Sequence, residues 1–193
     1  MSKRYIYAFD DVEDALKRCN GSTTELVYLL GGKGGNLALI NRLGVPVPKG
    51  FTITTEACTD FYKENPPAFP PGLSDELTKA IERLEQQSGK KFGSKTAPLL
   101  VSCRSGARIS MPGMMDTVLN IGMNDETAEA MINLTKNPRF VYDSYRRLIQ
   151  GYGSIVLGIK DEVFEEALKN YKDKHNYKLD TDCTAEDWKN LIA

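Results

Sequence analysis

Two stretches of this 193-residue sequence carry residue types that could do chemistry. The first is Gly31-Gly-Lys-Gly-Gly-Asn36. Successive glycines let backbone N–H groups point into one concavity. A helix starting there adds partial positive charge, and Lys33 adds a mobile cation. Together these suit a phosphate. The run is neither G-x-x-x-x-G-K-S/T nor G-x-G-x-x-G, so the pattern alone leaves open a plain tight turn with its lysine in water. The second stretch is Arg104 to Thr117, where Arg104 leaves the end of a predicted strand and Arg108 follows in a Gly/Ser/Met-rich loop. Ligand groups in α/β folds lie beyond the carboxyl ends of strands, and a guanidinium there can grip phosphate oxygens in bidentate fashion. The plainer alternative makes Met114 and Met115 core filler and both arginines surface charges.

Other candidates carry less. His175 lies in a Lys/Asp-rich stretch and reads as a surface residue. Arg139, Arg146 and Arg147 read as the wet face of a helix. Asp161, Glu162, Glu165 and Glu166 read as helix-start charge rather than a metal site. The four cysteines, Cys19, Cys58, Cys103 and Cys183, form no C-x-x-C pair and have one histidine to help them. Neither zinc ligation nor a disulfide framework is expected; reduced thiols are.

The elements that must position these groups read as follows. Arg4 to Phe9 predicts a short strand with Tyr5, Tyr7 and Phe9 on one face. Asp10 to Thr24 is polar, a loop or short helix. After the glycine-rich turn a helix is expected, with Leu37, Ile40 and Leu43 inward and Gly44 as its stop. Phe51 to Thr54 alternates as a strand, and Thr55 can cap a helix carrying Cys58, Phe61 and Tyr62. Ser74 can cap an amphipathic helix with Leu77, Ile81 and Leu84 inward. Leu99 to Ser102 is a short apolar strand. Beyond it, Asn124 and Pro138 mark two helix starts, and Val141, Tyr145, Leu148, Tyr152 and Ile155 form a helical stripe. Asp161 to Lys174 is a further helix, and Thr184 to Asp187 fits a capping box ahead of Trp188, Leu191 and Ile192. The helices are expected to pack through the Val141–Ile155 and Val163–Tyr171 stripes. That last helix reaches Ala193 without a stop signal, which is read as a truncated polypeptide, with a frayed natural terminus as the alternative.

The formal net charge is −1, with 25 basic and 26 acidic residues, and 41% of residues are hydrophobic. This balance excludes a polycationic nucleic-acid binder and an acidic tail protein. No run approaches the length of a membrane span, and the first residues lack a secretory or transit pattern. Residues 1–123 hold 13 of the 16 glycines and most prolines, whereas 124–193 is rich in helix formers. The fold class expected is α/β (α+β), with an α/β subdomain over 1–123 and a helical subdomain over 124–193.

Leu30-Gly-Gly-Lys-Gly, Gly44-Val-Pro-Val-Pro-Lys-Gly-Phe-Thr-Ile-Thr-Thr-Glu-Ala-Cys58, Arg104-Ser-Gly-Ala-Arg-Ile-Ser-Met-Pro-Gly-Met-Met-Asp-Thr117 and Asn137-Pro-Arg-Phe-Val-Tyr-Asp-Ser-Tyr-Arg-Arg147 resemble the pyruvate, phosphate dikinase family, from about Tyr5 to the end of the chain. Phosphoenolpyruvate synthases and glucan, water dikinases share the G-G-K and R-S sites but lack S-M-P-G-M-M-D-T. The resemblance implies the first part of an ATP-grasp-like nucleotide-binding domain. It implies an enzyme that converts ATP, phosphate and pyruvate to AMP, pyrophosphate and phosphoenolpyruvate through a phosphohistidine. Lys33 would hold ATP phosphates, Arg104 would neutralise charge on the transferring group with help from Arg108, and Gly113, Met114, Met115, Asp116 and Thr117 would lie over the γ-phosphate. Magnesium would accompany ATP, with its ligands outside this chain. The partners implied are a second ATP-grasp lobe and a phosphohistidine domain, in a homodimeric, cytoplasmic parent, with no nucleic acid and no membrane. The chain alone is expected to be inactive. The alternative is a free-standing nucleotide-binding or regulatory module derived from the dikinase. The polar insertion around Asp11 to Val27 departs from the family and leaves the entry angle of the Lys33 segment open.

Overall fold

The computed structural model describes residues 3–63, 65–106 and 117–193. The fold is mixed α and β, and the chain forms two compact units. One runs to Ser88. The other joins Gly89–Arg104 to the chain from Thr117 onward.

In the first unit, strand β1 (Ile6–Ala8) pairs antiparallel with β2 (Phe51–Ile53), in the register Ile6↔Ile53, Tyr7↔Thr52 and Ala8↔Phe51. Between them lie helices α1 (Val12–Arg18) and α2 (Thr23–Arg42), and after them α3 (Thr55–Phe61) and α4 (Leu73–Ser88). Tyr7, Val12, Leu16, Leu26 and Leu29 form one core, and Tyr5, Ile6, Ala57 and Leu73 a second. Tyr5, Ile6 and Tyr7 are all buried, so β1 is covered on both faces rather than only on that of its odd-numbered residues. Helix α3 is capped by Thr54, whose hydroxyl accepts from the Ala57 N–H at 3.3 Å. Thr55 lies one residue inside and donates to the Tyr28 carbonyl at 2.8 Å. Helix α4 starts at Leu73, so Ser74 sits within its first turn.

The expected glycine-rich turn is a one-residue break inside α2. Helix starts at Thr23, with the Ser22 hydroxyl accepting from Glu25 N–H. It is interrupted at Gly31 (φ 70°, ψ 160°) and resumes to Arg42. That backbone conformation is open essentially to glycine alone. Beyond the break, Gly34 abuts Thr52 and Gly35 abuts Val27: a Cβ on either would come within 2.5 Å of the Thr52 Oγ1 or 2.8 Å of the Val27 Cα. These close approaches turn the Gly34, Gly35 and Ala38 face inward. Leu43, about two and a half turns beyond Gly34, faces the opposite way. Ile40 and Leu43, expected inward, are therefore exposed, and Ala38 and Leu39 hold inner positions in their place. Gly44, at φ +79°, follows the helix as its stop.

The second unit holds a hairpin, β3 (Val101–Arg104) with β4 (Thr117–Ile121), and helices α5 (Asp125–Thr135), α6 (Pro138–Ile155), α7 (Asp161–His175) and α8 (Ala185–Ile192). β3 starts two residues later than expected because Leu99 is held by its N–H on the Lys91 carbonyl at 2.9 Å. Both sheets are two-stranded and antiparallel. Asn124 caps α5 with a reciprocal Thr127 bond, Pro138 opens α6, and Thr184 and Asp187 form the capping box of α8. Helix α6 is buried at Val141 and Gly153, with Tyr152 and Ile155 exposed. It packs chiefly on α8 and β4. Helix α7 buries no residue. It meets α6 where the Phe164 ring lies over Gly153. The expected pairing of two long apolar stripes is thus replaced by a core around Val118, Val141, Cys183 and Trp188. His175, exposed as expected, stacks between Tyr171 and Tyr177.

Candidate functional site

The sequence-predicted residues fall in both units. Lys33 is the second residue of the helical run that restarts after Gly31. The positive end of that run is therefore the backbone of Gly32 to Gly34. Lys33 is half-buried, and among the described residues it has no ion-pair or hydrogen-bond partner. Gly34 and Gly35 are held against Thr52 and Val27, so two of the glycines read as a phosphate cradle serve helix packing.

Arg104 ends β3 and pairs in register with Thr117 at the start of β4. Directly opposed residues of an antiparallel pair put their side chains on one face. Two residues read from the sequence as parts of one site are thus brought together. Arg104 is exposed. Among the described residues it is the arginine without a partner. Arg4, Arg18, Arg42 and Arg83 pair with Asp11, Glu56, Glu13 and Asp10. Arg146 and Arg147 share Asp143, and Arg139 donates to the carbonyls of Cys183 and Asp180 at 2.8 and 2.7 Å. A guanidinium left without a carboxylate is available to an anion. Arg108, Gly113, Met114, Met115 and Asp116 lie outside the described residues.

Among the described residues no group of three acids, histidines or cysteines is placed to hold a metal ion. None of the described residues is assigned to magnesium. No described helix is long and apolar enough to cross a membrane.

The sequence reading missed a groove of about 400 Å³ in the first unit, between β1 and α4. Asp11 stands at its wall. Burial opposes ionisation of Asp11, but its hydrogen bond from Arg83 and the charges of Arg83 and Arg4 hold its carboxyl below the usual range. The available signal was periodicity: Lys79 and Arg83 are four apart on α4, and Arg4 alternates with Ile6 and Ala8 along the strand.

Comparison with known proteins bears on the chain as a whole. The sequence model of the family described as "Pyruvate phosphate dikinase, AMP/ATP-binding domain" matches residues 27–66 and 67–173. Pyruvate, phosphate dikinase of Entamoeba histolytica is 47% identical over 186 residues, covering 96% of this chain and 20% of the relative. That of Clostridium symbiosum is 45% identical over 188 residues, 97% of this chain and 20% of the relative. The chloroplastic pyruvate, phosphate dikinase of Flaveria trinervia is 47% identical over 168 residues, 87% of this chain and 17% of the relative. The chain thus spans about a fifth of the length of these relatives.

Proposed function

Because the chain belongs to the pyruvate, phosphate dikinase AMP/ATP-binding family, we propose that it supplies the phosphate-holding part of an ATP site in a dikinase. The observation that carries this reading is Arg104, without a partner among the described residues, set beside Thr117 in the β3–β4 hairpin. Arg104 neutralises charge on the transferring phosphoryl group, where a planar fork of donors is worth more than a point charge. Lys33, at the positive start of a helical run, holds the ATP phosphates. Arg108 assists Arg104, and the Gly113, Met114, Met115, Asp116 and Thr117 segment lies over the γ-phosphate. Phosphoryl transfer is accelerated mainly by positioning and charge neutralisation, which is what such residues can do.

In this reading the architecture is ATP-grasp-like over 1–123, with a helical subdomain over 124–193. This is a division of roles rather than of compactness. The whole protein converts ATP, phosphate and pyruvate to AMP, pyrophosphate and phosphoenolpyruvate through a phosphohistidine, as a homodimer in the cytoplasm. A second lobe completes the nucleotide cleft, and a phosphohistidine domain receives the phosphoryl group. Magnesium, when bound with ATP, supplies further charge neutralisation through ligands outside this chain. The comparisons do not favour the alternative of a free-standing regulatory module. Neither nucleic acid nor membrane is a partner.

The chain by itself binds nucleotide without turning it over. A coupled assay with ATP, phosphate and pyruvate should give no AMP from the chain alone, while adenine nucleotide should raise its thermal midpoint. AMP formation by the isolated chain would overturn the division of labour. The absence of any nucleotide-dependent shift would overturn the binding role.

A further inference from the structure

The groove between β1 and α4 shares no residue with the Lys33 and Arg104 segments. Ile6, Ala8, Phe51, Ala80 and Leu84 give it an apolar floor, and Lys3, Arg4, Lys79 and Arg83 stand around it. Its volume of about 400 Å³ falls in the range of small-molecule sites.

The backbone edge that forms one wall is closed to a peptide. The N–H groups of Tyr5 and Ile6 both donate to one Glu76 oxygen at 2.8 Å. The Ile6 carbonyl accepts from Arg4 Nε at 2.9 Å, and the Arg4 carbonyl from Arg18 at 2.6 Å. The Ala8 N–H and carbonyl are both bound by Asp11. An added strand would have to displace each of these, so β-augmentation is excluded.

The same bonds decide the charge of an occupant. Glu76 is committed to the strand, and Asp11 to Arg4, Arg83 and the Ala8 N–H. One Glu76 oxygen and both Asp11 oxygens are therefore used. Of the groove's four cations, Lys3 pairs with Asp60 and Arg4 with Asp11. Both terminal nitrogens of Arg83 are taken by Asp10 and Asp11, but the Lys79 ammonium has no partner among the described residues. Donor left over above an apolar floor selects an anion with an apolar body.

We propose that the β1–α4 groove binds a small organic anion, with its carboxylate, sulfonate or phosphate on Lys79 and its apolar body over Ile6, Phe51 and Leu84. Phenyl phosphate is a suitable probe, followed by amide NMR of the 193-residue chain with inorganic phosphate in parallel. Phenyl phosphate should give saturable shifts at Ile6, Gly50, Phe51 and Ala80. Inorganic phosphate should bind there about tenfold more weakly or worse, lacking the apolar body. Lys79→Glu, an exposed helix-surface change, should weaken the probe about tenfold. Lys33→Ala should leave the groove shifts unchanged, which separates this site from the nucleotide reading. No saturable shift in the groove, or equal affinity in the Lys79→Glu chain, would overturn the proposal. So would groove shifts that vanish in Lys33→Ala.

Discussion

Arg104 and Thr117 are register partners across the antiparallel β3–β4 pair, with their side chains on the same face of the hairpin. The pair closes a stretch of chain that carries most of the residues read from the sequence as phosphate-binding. Arg104 makes no use of its charge within the described fold, whereas the other described arginines do.

That contrast predicts two kinds of arginine. Arg104→Ala should leave unfolding free energy within about 0.5 kcal/mol of the parent chain, as an exposed residue without a side-chain partner among the described residues should. Arg139→Ala should cost about 1–3 kcal/mol, because it strands the carbonyls of Cys183 and Asp180. Denaturant unfolding followed by Trp188, the single tryptophan and 1% exposed, compares them directly. A large loss with Arg104→Ala would mean that it supports the fold.

Two glycines of the Lys33 segment should be intolerant for different reasons. Gly31→Ala forces a side chain into a backbone conformation reserved for glycine, at about 1–3 kcal/mol. Gly35→Ala drives a methyl onto the Val27 backbone, which cannot rotate aside, at about 1–3 kcal/mol. Gly34→Ala meets only the Thr52 side chain and should cost less than Gly35→Ala. Thermal midpoints of the three variants give the order.

Glu76 should hold the first unit together by its grip on β1. Glu76→Ala leaves the N–H groups of Tyr5 and Ile6 without their acceptor, at about 1–3 kcal/mol. It also opens a strand edge to pairing with other chains. Equilibrium unfolding and sedimentation of this variant should show both lower stability and self-association.

Asp187 makes the second unit acid-sensitive. The hydroxyl and N–H of Thr184 and the hydroxyls of Tyr171 and Tyr177 donate to its carboxylate and hold its pKa down to about 2. An unfolded aspartate titrates near 3.9, so the folded form binds its proton less readily. The ionised carboxylate therefore stabilises the fold above about pH 4, and that contribution is lost as pH falls from about 4 toward about 2. Asp187→Asn should be less stable at neutral pH and should show a flatter pH dependence over that interval. Unfolding midpoints across the interval, again by Trp188, check the slope.

Caps and stops were legible because they depend on residues a few positions apart: Asn124, Pro138, Thr184 with Asp187, and Gly44 sit where local rules put them. The inward faces of α2 and α7 were not. Ile40 and Leu43 read as core until Gly34 and Gly35 met Thr52 and Val27, and those approaches are tertiary facts. The Val163–Tyr171 stripe is apolar in sequence, but α7 buries no residue, and Phe164 meets α6 at Gly153. For the candidate site, pattern supplied Lys33 and Arg104. Pairing Arg104 with Thr117 needed the register of the hairpin, which the bulge between Val101 and Cys103 helps to set. The β1–α4 groove stayed hidden because its residues come from segments about 70 positions apart in sequence, as in the bonds of Glu76 and Arg83.

The central claim is the proposal that Arg104 and Lys33 each help to hold the phosphates of ATP. Calorimetric titration of the folded chain with magnesium-ATP, beside Arg104→Ala and Lys33→Ala, tests it most directly. The account predicts saturable binding to the parent chain, weakened about tenfold or more in each variant, with unfolding free energy unchanged in Arg104→Ala. Binding that is equally strong in both variants, or no binding by a chain shown to be folded, would contradict it.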